Sequence, residues 1–143
     1  MSKSSAAPLV YTEGNIIMQN AYLTAKEQQV VQLVVSVYNR CHYCTSAHSK
    51  FSEKKGVSHE DVSAMRKGRL PKEKGIRDLA FIIKLIMDKK GQLNKTDLEK
   101  INATGIKKAK LYEVLAHIGL KTFANYAANI IHPEIDEQFK FQE

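Results

Sequence analysis

Apolar residues recur at helical spacing through most of the chain, between short segments of helix caps and helix breakers. Thr24 and Glu27 form a capping-box pattern, in which each side chain satisfies the other residue's backbone amide at a helix start. The apolar run at 30–37 that follows is rich in β-branched residues. Its cap, its length and its lack of turn residues nevertheless favour a buried helix over a strand.

Caps and breakers also mark the middle of the chain. Ser58 followed by Asp61 predicts another helix start, and Gly56 just before it predicts the end of the preceding helix. Pro71 is expected at the start of the next helix, because the first helical position tolerates proline. Gly91 is expected to end that helix.

The C-terminal part predicts a short helix over 94–105 and a long one over about 106–131. The long helix is apolar on more than one face, as in helices that are central or covered by another subunit. We therefore predict an all-α fold of about six helices and a homo-oligomer. The domain organisation expected is a flexible tail over 1–10 and a single helical domain over 11–143.

Composition narrows the functional classes. The chain is 43% hydrophobic and 26% charged, as in ordinary globular proteins. It contains no apolar run long enough for a membrane span, and its first residues lack the apolar core of a secretory signal, so we expect a cytoplasmic protein. The formal net charge of +7 is dispersed among several lysine groups and favours a solvated surface over nucleic-acid binding.

The side chains best suited to catalysis or metal binding are Cys41, Cys44 and His48. Two closely spaced cysteines in an intracellular protein more often serve metal binding or catalysis than structure. On a helix these three positions share one narrow stripe, with His48 one turn beyond Cys44. A nearby imidazole can take a thiol proton, and a helix start lowers a thiol pKa. His48 is therefore better placed to activate Cys44, whereas the helix dipole is better placed to activate Cys41.

This spacing predicts a redox-active dithiol. One thiolate would reduce a hydroperoxide and become a sulfenic acid, the second thiol would condense with it to a disulfide, and a dithiol or lipoyl-type partner would reduce the pair. We expect no cofactor and no metal. Three alternatives stay open: a zinc site, which lacks a fourth ligand; two buried structural thiols; and a helix-turn-helix DNA-binding module over 94–120 with the dithiol as its switch.

The segment 24–58 resembles the carboxymuconolactone decarboxylase superfamily, specifically its alkylhydroperoxidase D-like branch. The resemblance rests on the helix 24–39, the Cys-x-x-Cys-x-x-x-His pattern of Cys41, Cys44 and His48, and the following Gly-Val-Ser turn. It implies an all-helical fold, assembly into trimers or hexamers, and dithiol peroxidase activity. It also implies that Cys44 attacks, Cys41 resolves and His48 relays protons.

The chain departs from that family pattern at two positions. The branch typically has a glutamate twelve positions before the first cysteine, where this chain has Gln29, and efficient peroxidases can have a histidine where it has Tyr43. An amide can orient an imidazole but cannot carry a proton. We therefore expect a slow peroxidase, or a dithiol–disulfide exchanger that prefers a small disulfide.

Overall fold

Six α-helices make up most of the described chain. The computed structural model describes residues 12, 14, 16, 18, 19 and 21–143. The helices are α1 Ala25–Tyr38, α2 His42–Lys54, α3 His59–Arg66, α4 Lys74–Lys89, α5 Lys95–Ala103 and α6 Lys108–Ile131, followed by a 3₁₀ turn at Glu137–Phe139. These residues contain no strand, so the prediction of an all-α fold with about six helices is confirmed. The tail predicted for 1–10 lies outside the described residues.

Helix α1 forms the centre of the molecule. It packs against α2, α3, α4 and α6, which explains why its sequence is apolar on nearly every face. The apolar residues buried in the core around it are Leu23, Val30, Val31, Leu33, Val34, Val35, Val57, Val62, Met65, Ile76, Leu79, Ala80, Ile83 and Val114. The β-branched residues of this segment therefore belong to a buried helix, as predicted.

The predicted helix starts are correct at two caps and displaced at Pro71. Thr24 forms the complete capping box with Glu27, and Ser58 accepts the backbone amide of Asp61 at 3.1 Å. The helix after Pro71 begins three residues later than predicted, at Lys74. The displacement has a physical cause, because the Asp61 carboxylate accepts the backbone amide of Lys72 at 2.6 Å and holds the intervening residues in a turn.

A tight turn connects α1 to α2 and brings the cysteines into place. Arg40 adopts a left-handed conformation with φ of 54°. Its amide donates to the carbonyl of Val37 at 3.1 Å, and the amide of Cys41 donates to the carbonyl of Ser36 at 3.0 Å. This pair of hydrogen bonds is the Schellman motif that ends many helices. Here Cys41 closes α1 and is at once the N-cap of α2.

Helix α6 carries apolar side chains that the described chain leaves exposed. They are Tyr112, Leu115, Phe123, Tyr126, Ile130 and Ile131. No helix among the described residues is long and apolar enough to cross a membrane. A contiguous apolar surface of this kind is typical of a protein–protein interface. It is the basis on which the homo-oligomer remains a prediction.

We predict that the chain sediments at a multiple of its 16.1 kDa mass at micromolar concentration. Ile130→Glu should shift it toward the monomer, because Ile130 is 80% exposed on α6 and a charge there opposes burial against a second copy. Leu98→Glu, at a 47% exposed apolar position on α5, is the control and should leave the mass unchanged. A wild-type chain that sediments as a monomer would refute the prediction.

Candidate active site

The two cysteines lie together at the N-terminus of α2. The backbone amide of Cys44 donates to the sulfur of Cys41, with 3.4 Å between nitrogen and sulfur. Both residues are free thiols, and both are buried, with Cys41 1% and Cys44 7% exposed. The predicted juxtaposition is therefore present, and it arises because Cys41 caps the helix in which Cys44 occupies the first turn.

Cys44 and His48 line a pocket of about 430 Å³ between α2, α6 and the C-terminal segment. Cys41 is not part of its lining and lies deeper in the protein. The other lining residues are mainly apolar or aromatic: Tyr43, Ala47, Phe51, Lys121, Ala124, Ala127, Ala128, Ile131, Pro133 and Phe139. Cys44 is thus the thiol that a small molecule in the pocket would meet first.

The segment after α6 forms one wall of this pocket. The hydroxyl of Tyr43 donates to the carboxylate of Asp136 at 3.3 Å. The ring of Phe139 lies edge-on to Phe51, with 5.3 Å between centroids, and to Tyr43, with 6.3 Å between centroids. Edge-to-face contacts at these distances are favourable. Tyr43 joins this wall to α2.

His48 contacts Gln29, the residue at the position of the family's glutamate. Its Nδ1 lies 2.9 Å from Oε1 of Gln29. Because a carbonyl oxygen only accepts, Nδ1 carries the proton in this arrangement and Nε2 keeps a lone pair. Burial, together with the positive charge of Lys121, lowers the pKa of His48 well below its usual 6.5. His48 is therefore a neutral imidazole at physiological pH, able to accept a proton.

Burial determines the protonation state of Cys41. It is the largest cause that raises the pKa of the Cys41 thiol to about 11, and the neighbouring Cys44 sulfur adds to it. The backbone amide of Cys44 and the side chain of Asn125 act in the opposite direction, but they do not outweigh burial. Cys41 thus stays protonated at neutral pH, although it holds the helix N-cap position that favours an anion.

Four polar residues on α6 form a stripe that the sequence reasoning did not connect with the site. His117, Lys121, Asn125 and Asn129, which we call the polar seam, recur every four residues and so lie on one face of α6. The two asparagines make hydrogen bonds across the helix contact: Asn125 donates to Ser36 at 3.1 Å, and Asn129 donates to the carbonyl of Asn39 at 3.0 Å. This four-residue periodicity in an apolar helix was visible in the sequence.

His117 has a hydrogen-bond partner on only one of its two ring nitrogens among the described residues. It is fully buried, as expected of a core histidine, and its Nδ1 accepts from the amide of Gln32 at 3.0 Å. Its Nε2 has no hydrogen-bond partner among the described residues, so the ring is satisfied on one side only. Nε2 lacks a partner because the ring lies at the packed junction of α1 and α6.

The zinc and DNA-binding alternatives gain no support from the geometry, whereas the burial of both cysteines leaves the structural-thiol alternative to experiment. Within the described residues, no three His, Cys, Asp or Glu side chains converge closely enough to hold a metal ion, which leaves the zinc alternative without a ligand set. Lys110, which would open a DNA-reading helix, pairs with Glu27 at 2.6 Å. Glu27 therefore takes part in a helix cap and an ion pair, and Gln29 is the α1 residue that contacts His48.

Comparison with known proteins supports the resemblance. Residues 7–77 match the sequence profile of the carboxymuconolactone decarboxylase family. The chain belongs to the carboxymuconolactone decarboxylase family. No curated protein sequence matches it significantly. The matched segment contains both cysteines, His48 and Gln29, so the family assignment covers the site on α1 and α2 but not the wall contributed by α6.

Solved structures show the same fold. A protein of unknown function from Agrobacterium tumefaciens, a candidate antioxidant defence protein AhpD, superposes with a TM-score of 0.79 at 18% identity over 92% of this chain and 91% of its own. An uncharacterized peroxidase-related alkylhydroperoxidase AhpD core from Ralstonia eutropha gives 0.76 at 18% over 92% and 71%. A debrominase gives 0.69 at 15% over 87% and 67%. At these identities the likeness establishes the family's alkylhydroperoxidase D-like fold.

Proposed function

We propose that this chain is a dithiol oxidoreductase that reduces organic hydroperoxides or small disulfides, with Cys44 as the attacking thiol and Cys41 as the resolving thiol. The observation that carries the proposal is the pair itself. The sulfur of Cys41 lies 3.4 Å from the amide of Cys44, and Cys44 lines a pocket together with His48. The peroxidase-related names of two similar structures point the same way.

The first step forms a sulfur–oxygen bond at Cys44. His48 takes the Cys44 proton at Nε2, and the thiolate attacks the terminal oxygen of the hydroperoxide. The O–O bond breaks, Cys44 becomes a sulfenic acid, and the alkoxide leaving group takes the proton held by His48 to become the alcohol, which returns His48 to its neutral form. The apolar lining of the pocket favours a substrate with an organic substituent over hydrogen peroxide itself.

The second step forms the disulfide. The Cys41 sulfur attacks the sulfenic sulfur, its own proton leaves with the hydroxyl as water, and a Cys41–Cys44 disulfide forms. In sum, one hydroperoxide and two thiols give one alcohol, one water and one disulfide. An external dithiol, from a protein or a lipoyl-type group, then returns two electrons and two protons. A small disulfide substrate would enter the same cycle by thiolate exchange at Cys44.

The burial of Cys41 fits the resolving role. A thiol with a pKa of about 11 remains protonated until its partner is oxidised. It is also shielded from the pocket, so an oxidant reaches Cys44 before it reaches Cys41. The assignment of roles that the family resemblance implies therefore has independent physical support in the burial and exposure of the two sulfurs.

We expect one equivalent of cumene hydroperoxide to remove two thiols per chain from the pre-reduced protein, because the two sulfurs end in one disulfide. Cys41→Ser should stop at a sulfenic acid on Cys44 that dimedone traps and mass spectrometry locates. Cys44→Ser is the matched control and should keep its remaining thiol. Thiols that resist both the hydroperoxide and a small disulfide in the folded protein would sink the proposal.

Gln29 supplies the second test. It orients His48 but cannot pass on the proton that His48 receives, so we expect Gln29→Glu to speed hydroperoxide reduction about 100-fold, the lower end of the range known for general acid–base help. Gln92→Glu introduces the same charge at an exposed position and should leave the rate unchanged. Equal rates for Gln29→Glu and the wild type would show that the relay does not limit turnover.

A further inference from the structure

Among the described residues, one cation faces the dithiol and has no carboxylate partner within that part of the chain. Lys121 lies halfway along α6, is half-buried, and lines the same pocket as Cys44 and His48. Among the described residues no carboxylate lies within ion-pair distance of it, whereas Lys110 on the same helix pairs with Glu27. A half-buried charge without a counter-ion is costly, so this arrangement is not explained by stability.

The polar seam determines the position of Lys121. Its neighbours one turn away on either side are both anchored to α1, His117 by Gln32 at 3.0 Å and Asn125 by Ser36 at 3.1 Å. Lys121 lies between these anchors and so must face the same junction. Its direct electrostatic neighbours are the thiols of Cys44 and Cys41, which oppose the lowering of its pKa that burial causes.

Before it accepts the Cys44 proton, His48 provides no positive charge at this site. An imidazolium is one common means of stabilising a reactive thiolate. Here the imidazole is half-buried, faces Gln29 instead of a carboxylate, and is neutral before proton transfer. Among the described residues, the other titratable side chain that lines the pocket is Tyr43 on α2, whose hydroxyl donates to Asp136, and neither group carries positive charge. His117 is buried at the next turn of α6, where burial also lowers its pKa.

We propose that Lys121 supplies the positive charge that stabilises the thiolate of the Cys41–Cys44 dithiol, while His48 serves only as the proton acceptor. This inference rests on the proposed function. It assigns stabilisation of the thiolate charge to Lys121 and acceptance of the thiol proton to His48. The family's glutamate could share a proton with the histidine. With Gln29 in its place, thiolate formation in this chain depends on a cation contributed by α6. Lys121 acts through the thiols and not on the substrate.

The test is the pH dependence of thiolate formation, measured on the reduced protein from the rate of iodoacetamide alkylation and from thiolate absorbance near 240 nm. Removing a nearby positive charge disfavours the anion, so Lys121→Gln should raise the pH midpoint of the dithiol by about one unit and lower alkylation at pH 7 about tenfold. Lys121→Arg keeps the charge and should restore most of both values. Lys108→Met, which removes an exposed lysine from the start of α6, should change neither.

The outcomes separate this inference from the proposed function. An unchanged midpoint in Lys121→Gln overturns the role of Lys121 even if hydroperoxide still oxidises the dithiol. A raised midpoint without any oxidation by hydroperoxide or disulfide supports Lys121 and refutes the oxidoreductase. If Lys121→Gln does not fold, as judged by circular dichroism, Lys121→Met gives the same comparison on an apolar side chain of similar length.

Discussion

The site depends on the way one residue joins two helices. Cys41 ends α1 through its backbone amide, which donates to Ser36, and begins α2 through its sulfur, which accepts the amide of Cys44. Arg40 makes the junction possible by adopting a left-handed conformation, which costs about 1 kcal/mol for a residue other than glycine. Two helices joined so tightly leave no freedom to the first turn of α2. The two sulfurs are therefore adjacent before any substrate binds.

From that junction the burial of each group follows, and burial determines the protonation states. Cys41 lies beneath α6 and keeps its proton, with its pKa raised to about 11. Cys44 lies one turn further on and faces the pocket. His48, a turn beyond, reaches back to Gln29 on α1 and stays neutral. The low polarity of the surroundings also strengthens electrostatic interactions. This is why the charge of Lys121 interacts with several titratable neighbours.

The local features of the sequence predicted the fold and the core of the site, because they depend on short-range rules. The Thr24 and Ser58 caps, the end of α6 near Ile131 and the pairing of Cys41 with Cys44 all follow from spacing along one helix or one turn. The start of α4 was predicted three residues too early, at Pro71, because the turn that precedes this helix is held by Asp61, a residue on another helix. Lys121 and Phe139 were missed for the same kind of reason. Their part in the pocket arises from tertiary packing, although the four-residue repeat of polar residues on α6 was present in the sequence.

The central claim is that Cys41 and Cys44 form a reversible redox couple, and their reduction potential tests it most directly. The native protein would be equilibrated with graded mixtures of reduced and oxidised dithiothreitol or glutathione, quenched with acid, and its free thiols counted. We expect one two-electron transition, changing tenfold for about every 30 mV, with a midpoint above about −300 mV, the range of catalytic and not structural disulfides. Thiols that stay reduced across the whole range, and react only after unfolding, would contradict the account and leave two buried structural cysteines.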